Sequence, residues 1–244
     1  MLTLANLQRS LKSKANPKRA KLSKRYFKTG PGEYGEGDVF LGISSSVMRP
    51  IAKKYKDLKI REIGKLLKSK IHEERQTALF VLVEQFHSAM LKHNTMLKHS
   101  TLVRHKIFNF YLKNTKYINN WDLVDGSAPK IIGEYLLDKN RKILYRLAKS
   151  KNLWERRIAI LATYAFIRKN KFEEILKIAE MLLNDKHDLI HKAVGWMLRE
   201  VGKRSPKTLE KFLKKHASKM PRVMLRYAIE RFSEGKRRGY LKNG

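Results

Sequence analysis

The spacing of apolar residues predicts an almost entirely helical chain. After Val47, apolar side chains recur three and four residues apart, and the alternation typical of strands is nearly absent. Two earlier helices are predicted around Leu4 to Leu11 and over Pro17 to Phe27. Turn-forming residues mark helix boundaries at Asn119–Asn120, Lys151–Asn152, Asp185–His187, Ser205–Pro206 and Pro221. These intervals predict helices of ordinary length joined by short turns.

Four of the predicted helices resemble diverged copies of one unit. Each carries an alanine early on its apolar face, at Ala78, Ala159, Ala193 and Ala228. The last three alanines are 34 and 35 residues apart, and the interval of 81 residues between the first two leaves room for two units. This period is typical of paired-helix repeats of the HEAT or armadillo kind. We therefore expect an all-α fold, a right-handed superhelical solenoid of such repeats with a concave basic cleft.

The whole chain, 1–244, is predicted to form a single HEAT-like repeat domain. A basic N-terminal helical segment covers 1–30, a glycine-rich loop covers 31–42, and helical repeats cover 43–244. The loop lacks the Gly-Lys-Ser/Thr ending with which a Walker loop binds nucleotide triphosphates. The first thirty residues hold nine lysines or arginines and no acid, so they either follow a phosphate backbone or form a solvated basic face.

The charge of the chain favours a polyanionic partner. The formal net charge is +33, from 55 lysines and arginines against 22 acids, which exceeds what solubility requires and causes self-repulsion. Nucleic acid is the leading candidate, because phosphate neutralisation releases counterions. An anionic membrane is the rival, but the sequence lacks an apolar run near 18 residues, a cleavable signal and a lipidation motif. We expect a soluble, cytoplasmic protein that works with chromosomal DNA.

The absence of cysteine limits the chemistry of the protein. It excludes disulfides, thiol nucleophiles and metal sites that need cysteine ligands. We expect neither a metal nor a cofactor.

The segment NNWDLVDGSAP holds the first candidate site residues. With Asn119 or Asn120 as the cap, Trp121, Asp122 and Asp125 occupy the first turns of a helix. Trp121 and Asp125 are four residues apart and share one face, so both can serve the same ligand. A purely structural interpretation is also open, because acids favour a first helical turn and tryptophan is usually buried.

Two later segments carry further candidates. In NLWERRIAIL, Trp154 is expected to precede a helix and pack against it as a staple. Arg156 and Arg157 either make hydrogen bonds between repeats or bind a backbone phosphate in a bidentate manner.

In HKAVGWMLREVGK, Gly195 lies inside a predicted helix, where it costs about 1 kcal/mol relative to alanine. A close approach of another element would justify this glycine. Trp196 is next to it, either as a core residue or as a ligand-binding one, and Arg199 follows one turn later.

In this order, WDLVDGSAP, LWERRIAIL and HKAVGWMLRE closely resemble the AlkD-like DNA glycosylase family, and the likeness runs from Tyr26 onward. The resemblance implies that Trp121, Asp125, Arg157 and Trp196 line a concave DNA-binding cleft. It favours Arg157 over Arg156, because the family pattern places its arginine three residues after the tryptophan of this motif.

The entry segment YFKTG followed by FLGISSSVMRPIAKKY also resembles the family. Its proline, however, is Pro50, after Arg49 rather than before the Met-Arg pair, so no role is assigned to Tyr26. Arg156 and Arg199 are retained as further DNA-binding candidates beside Arg157.

The resemblance implies a monofunctional alkylpurine DNA glycosylase acting on double-stranded DNA as a monomer, without a base-flipping pocket. Breaking a purine N-glycosidic bond builds positive charge on the sugar, which Asp125, Trp121 and Trp196 would stabilise. Asp122 is the only nearby second carboxylate, and no general acid is evident. Such a site suits bases that are already cationic, the purines alkylated at N3 or N7. The preferred base and a lyase step using one of the many lysines stay open.

Two other functions account for the charge and the repeats. One is a non-catalytic basic HEAT-repeat protein that binds DNA, for which an acid such as Asp125 facing phosphates would have no purpose. The other is an RNA-associated scaffold, which would need its aromatic residues spread along the chain for stacking.

Overall fold

The structure is a computed structural model that describes residues 2–91 and 97–242. Within these ranges the regular structure is helical, and an isolated parallel bridge joins Val39 to Ile71. The chain divides into two compact units, Met1–Ser127 and Ala128–Gly244. In the described ranges, no helix combines the length and the apolar character needed to span a membrane.

The first unit is built around its longest helix, α5. Twelve consecutive residues of α5, 72–83, are buried, and the helix contacts α3, α4 and α6. The helices of this unit are α1 (Leu4–Lys12), α2 (Pro17–Tyr26), α3 (Ser45–Lys54), α4 (Ile60–Leu67), α5 (His72–Leu91), α6 (Leu97–Lys113) and α7 (Trp121–Ala128).

The two predicted N-terminal helices are confirmed. The side chain of Thr3 caps α1, which buries Leu7 and Leu11, and the side chain of Asn16 caps α2, where Pro17 is the first helical residue. No residue of α2 is buried. The basic side chains of α2 therefore lie on the surface of the first unit.

The segment that leads from the glycine-rich loop into α3 is held by Glu73 of α5. Its carboxylate accepts backbone N–H bonds from Leu41 at 2.9 Å, Gly42 at 2.7 Å and Ile43 at 3.2 Å. Gly42 has a φ of +79°, and a Cβ there would lie 2.3 Å from the carbonyl oxygen of Asn16. Only glycine fits this turn without a shift of the backbone.

The second unit starts with a short π-helical turn, Pro129–Gly133. Its α-helices are α8 (Lys142–Ala148), α9 (Leu153–Ala162), α10 (Tyr164–Ile167), α11 (Glu173–Met181), α12 (Asp188–Arg204), α13 (Pro206–His216), α14 (Arg222–Ala228) and α15 (Glu234–Lys242). The five helix boundaries predicted from turn-forming residues are confirmed, because α7, α9, α12, α13 and α14 begin directly after them or at them.

Three of the alanine-bearing helices pack in succession in the second unit. Helix α9 contacts α12, and α12 contacts α14, while Ala159, Ala193 and Ala228 are all buried. A Cβ on Gly195 would lie 2.5 Å from the carbonyl oxygen of Met224, so α12 and α14 approach closely at this point. The expected close approach at Gly195 is confirmed. The description of these pairs as HEAT-like repeats, within a single domain, stays a prediction.

The expected position of Trp154 was wrong. Asn152 caps α9 and accepts a hydrogen bond from the backbone N–H of Trp154 at 2.9 Å, so Trp154 is the second residue of the helix. Its side chain is buried within the first turn and does not precede the helix. The early helix start has a local cause, since the amide oxygen of Asn152 satisfies an N–H that would otherwise lack an acceptor.

Candidate functional site

Helix α7 carries the candidate residues of the first unit. Asn120 is fully buried, and its side-chain oxygen accepts the backbone N–H of Trp121 at 2.8 Å, which confirms Asn120 as the capping residue. Trp121 and Asp125 are both partly exposed. Since they are separated by one helical turn, they point to the same side of α7.

Trp121 belongs to a group of aromatic rings. Its indole stacks on Phe27, with ring centroids 5.3 Å apart and an interplanar angle of 22°, and meets the edge of Tyr26 at 5.7 Å. Tyr26 is 66% exposed, whereas Phe27 is partly buried and also stacks on Phe40 at 5.2 Å. The first unit therefore presents an aromatic surface at Tyr26 and Trp121, supported from beneath by Phe27.

Asp125 lies near a buried phenol. The hydroxyl group of Tyr111 is 2.9 Å from the hydroxyl group of Ser127. Burial raises the pKa of Tyr111, the hydrogen bond with Ser127 lowers it, and the charge of Asp125 raises it further. Tyr111 therefore stays neutral over the physiological range and adds no second negative charge next to Asp125.

Asp122 is occupied by contacts within the first unit. Its Oδ2 accepts hydrogen bonds from Nε2 of His72 and Nε2 of Gln76, both at 2.8 Å. The Asp122 side chain is 12% exposed. These contacts give Asp122 a structural role and leave it poorly placed to protonate a leaving base.

His72, at the start of α5, joins Asp122 to a second carboxylate. Nδ1 of His72 is 3.0 Å from Oδ2 of Asp38, and Arg75 donates to Oδ1 of Asp38 at 2.6 Å. Burial raises the pKa of Asp38, but the hydrogen bond with His72 and the charge of Arg75 outweigh it and hold this pKa below its usual value. Acidic and basic groups thus alternate in one buried chain of contacts.

In the second unit, Arg156 is bound on several sides. It donates from Nε to Oδ2 of Asp185 at 2.6 Å, and from one terminal nitrogen to the carbonyl oxygens of Ser150 and Lys151, each at 3.0 Å. The contact with Asp185 joins the start of α9 to the turn before α12. Two roles for Arg156 were expected from the sequence, hydrogen bonds between repeats or binding of a phosphate. These contacts favour the first.

Arg157 is 5% exposed and donates to the carbonyl oxygen of Leu189 at 2.5 Å. Leu189 lies in the first turn of α12. The guanidinium therefore contacts the beginning of α12. Contact of Arg156 or Arg157 with a DNA phosphate stays a prediction.

Trp196 and Arg199 lie on α12 with a common acidic neighbour. The indole N–H of Trp196 donates to Glu200 at 3.3 Å, Lys203 donates to the same carboxylate oxygen at 2.7 Å, and Nε of Arg199 is 3.9 Å from it. Arg199 also forms an ion pair with Glu230. Trp196 is partly exposed, so its ring is oriented by a hydrogen bond and remains accessible.

The candidate residues thus fall into two sets. The first unit brings Trp121 and Asp125 together on α7. The second unit holds the other four residues, Arg156, Arg157, Trp196 and Arg199. A cleft shared by the two sets stays a prediction. Across residues 2–91 and 97–242, no group of three histidine or acidic side chains could hold a metal ion.

Three side chains at the candidate site of the first unit were not predicted from the sequence. Tyr26 and Phe27 contact Trp121, and the entry segment YFKTG was a signal for them, although no role was assigned there. His72 had only a weak signal, as a histidine at the start of a helix. Its partners are 34 and 50 residues away, which spacing along the chain does not reveal.

A family model described as "DNA alkylation repair enzyme" matches residues 7–232. The chain belongs to this family. The match begins within α1, ends between α14 and α15, and confirms the resemblance drawn from the three sequence motifs. A comparison with curated proteins finds no match.

Two solved structures are similar to the chain. One is described as a predicted DNA alkylation repair enzyme from Enterococcus faecalis, with a TM-score of 0.66 and 17% identity, covering 91% of this chain and 98% of the other. The second is smu.31 from Streptococcus mutans UA159, with a TM-score of 0.52 and 17% identity, covering 94% and 99% of the two chains. At this identity the two structures show only that they share the fold of this chain.

Proposed function

We propose that this member of the DNA alkylation repair enzyme family is a monofunctional DNA glycosylase. It hydrolyses the N-glycosidic bond of purines alkylated at N3 or N7 in duplex DNA. The observation that carries the proposal is the pairing on α7 of two partly exposed side chains, the carboxylate of Asp125 and the indole of Trp121. A single helix, α7, thus presents a negative charge and an aromatic ring on the same side.

The chemistry of the bond explains why this pair is suitable. When the bond between sugar and base breaks, positive charge develops on the sugar. A carboxylate held in place before the reaction stabilises that charge, and the face of an aromatic ring adds about 0.5 to 2 kcal/mol of cation–π attraction. Asp125 would also hold the attacking water. The exposed ring of Tyr26 extends the aromatic surface next to Trp121.

The second carboxylate of α7 supports the proposed substrate class. Asp122 already accepts hydrogen bonds from His72 and Gln76, so it is not a free general acid for the departing base. A neutral purine leaves slowly without protonation, whereas a cationic alkylated purine leaves as a neutral base. The site therefore suits N7-methylguanine and N3-methyladenine better than an uncharged lesion.

In the second unit, Trp196 would provide another ring and Arg199 would neutralise a phosphate. Arg157 is 5% exposed and bound to the carbonyl oxygen of Leu189, so it would contact a phosphate only after leaving that carbonyl. The contacts of Arg156 with Asp185 and two carbonyl groups favour a structural role for that arginine. The net charge of +33 supports binding to the DNA backbone with little sequence preference. We infer a monomer of HEAT-like repeats that acts on chromosomal DNA.

The test follows base release from a duplex with a single N7-methylguanine, under single-turnover conditions. We expect the wild type to release the base and leave an abasic site. Asp125→Asn should lower the rate constant by on the order of 100-fold, because a preorganised charge is lost. Its affinity for the duplex should be equal or higher, since a charge that repels phosphate is removed.

Asp188→Asn is the matched control. Asp188 also lies in the first turns of a helix, but it is exposed and paired with Lys192 at 2.6 Å. Its replacement should leave the rate unchanged. A duplex with hypoxanthine, an uncharged base, should not be processed. Tight, salt-sensitive binding of duplex DNA without any base release would refute the glycosylase and leave the non-catalytic DNA-binding protein.

A further inference from the structure

His72 is a buried titratable group in contact with the α7 region that the proposed mechanism does not use. Its side chain is 2% exposed and lies between Asp38 on one side and Asp122 on the other, at 3.0 and 2.8 Å. Asp38 comes from the segment before α3, and Asp122 is the neighbour of Trp121 on α7. The imidazole therefore connects α5 with two other parts of the first unit.

Both ring nitrogens of His72 face carboxylate oxygens. A neutral imidazole has only one N–H and donates to one of them, whereas the imidazolium ion donates to both. Burial lowers the pKa of His72, but the hydrogen bonds with Asp122 and Asp38 outweigh it and raise this pKa to about 9. The charged groups facing the ring are Asp38, Asp122 and Arg75, the last of which opposes protonation.

The same imidazole also contacts the rings beneath Trp121. The centroids of Phe27 and Phe40 are each 4.8 Å from that of His72. Phe27 stacks in turn on Trp121. Two sets of contacts thus link His72 to Trp121, one through the neighbouring residue Asp122 and one through the ring of Phe27.

Asp122 depends strongly on His72. Its Oδ1 is buried and accepts no hydrogen bond within the part of the chain that the structure describes. Its Oδ2 bonds to His72 and Gln76. If His72 loses its proton, its one remaining N–H serves either Asp38 or Asp122, and the positive charge beside Asp122 is lost. If His72 is replaced, the nearly buried carboxylate of Asp122 keeps only the amide of Gln76, which does not compensate the charge. The first turn of α7 would then move to bring Asp122 towards water.

We propose that His72 is a positioning residue of the glycosylase site, whose imidazolium ties the first turn of α7, and with it Trp121 and Asp125, to α5 and to Asp38. The inference rests on the proposed glycosylase function for its effect on catalysis. Its structural part, the control of Trp121 by the proton on His72, is independent of that function.

The structural part is tested by ¹⁹F NMR of protein labelled with 5-fluorotryptophan. The chain has three tryptophans, so three resonances are expected, and Trp121→Phe identifies the one from Trp121. In the wild type, the Trp121 resonance should shift with a midpoint near pH 9, while those of Trp154 and Trp196 should not shift at that midpoint. In His72→Gln this shift should disappear. A Trp121 resonance that does not respond near pH 9, or responds equally in His72→Gln, overturns the proposal.

The catalytic part is tested with the N7-methylguanine duplex at pH 7.5. In His72→Gln the single-turnover rate constant should fall by about 10- to 100-fold, because displacement of a catalytic group by about 1 Å can cost about 100-fold. The Kd for the duplex should change by less than about threefold, since the side chain of His72 is 2% exposed and offers no surface to a phosphate. His216→Gln in the second unit is the matched histidine control and should retain the wild-type rate.

The double variant His72→Gln/Asp122→Asn covers the case in which His72→Gln folds poorly. It replaces the ion pair by two neutral amides, so no unpaired charge is buried. It should fold, recover part of the rate and show no response of Trp121 near pH 9. A wild-type rate in His72→Gln overturns the positioning role. If the wild-type protein itself releases no base, the glycosylase proposal fails, and the ¹⁹F titration alone decides whether His72 positions Trp121.

Discussion

Replacing Gly195 by alanine tests the close approach of two helices next to Trp196. A Cβ at this position would lie 2.5 Å from the carbonyl oxygen of Met224 and 2.5 Å from Cβ of Tyr227. Ordinary van der Waals contacts begin near 3.4 Å, so α12 and α14 must separate by about 1 Å, and overpacking of this kind costs about 1–3 kcal/mol. The higher helix propensity of alanine offsets about 1 kcal/mol of this cost.

Gly64 provides the matched comparison. It also lies inside a helix, α4, but a Cβ there would meet only the ring of Phe110, at an ordinary 3.5 Å. Gly64→Ala gains the same helix propensity without the clash. The free energy of unfolding of Gly195→Ala should therefore be lower than that of Gly64→Ala by about 1–3 kcal/mol.

Urea unfolding followed by far-UV circular dichroism measures this difference, with thermal melting as a second method. For a chain of this size, each kcal/mol corresponds to about 2–4 °C in Tm. Gly195→Ala should also slow base release, since the turn that carries Trp196 is displaced, whereas Gly64→Ala should not. Equal stability of the two variants would refute the argument from close approach.

Two further predictions concern pH and salt. Because the pKa of His72 is raised from 6.5 to about 9, its contribution to stability is complete below pH 6.5 and is lost as the pH rises through 9. The free energy of unfolding of the wild type should fall by about 3 kcal/mol over this window relative to His72→Gln, measured by urea unfolding between pH 6 and 10. Parallel curves for the two proteins would contradict this. In the salt dependence of duplex affinity, Lys18→Gln and Lys21→Gln on α2 should each reduce the slope of log K against log salt by about 0.9 if α2 follows the phosphate backbone. Lys177→Gln is the control and should have less effect on the slope, because Lys177 is already paired with Glu173 at 2.6 Å. An unchanged slope in the two α2 variants would show that α2 is a solvated basic face.

The helix boundaries could be predicted because their causes are local. Asn120 caps α7 and Asn152 caps α9 through their own side chains, and Pro206 starts α13 directly after its cap, Ser205. These signals are contained in two or three adjacent residues. The close approach at Gly195 could also be anticipated, because a glycine inside a helix usually has a packing reason.

The contacts around the candidate site could be predicted only in part. Trp121 and Asp125 share a face by helical geometry alone, which the sequence contains. The hydrogen bonds of His72 and the stacking of Phe27 on Trp121 join residues far apart in the chain, so they depend on tertiary packing. The position of Trp154 was wrong because a side-chain cap started α9 earlier than the apolar pattern indicated.

The anchoring of the glycine-rich loop at both ends has a consequence for protein engineering. Phe27 stacks on Phe40 before α3, and Glu73 binds the three backbone N–H groups of 41–43. Between these anchors, Glu36 and Gly37 are exposed. An affinity tag or a reporter domain inserted between Glu36 and Gly37 would lengthen a loop whose ends are already fixed, at a small entropic cost. This point in the chain therefore offers a labelling position that leaves both termini and α7 unmodified.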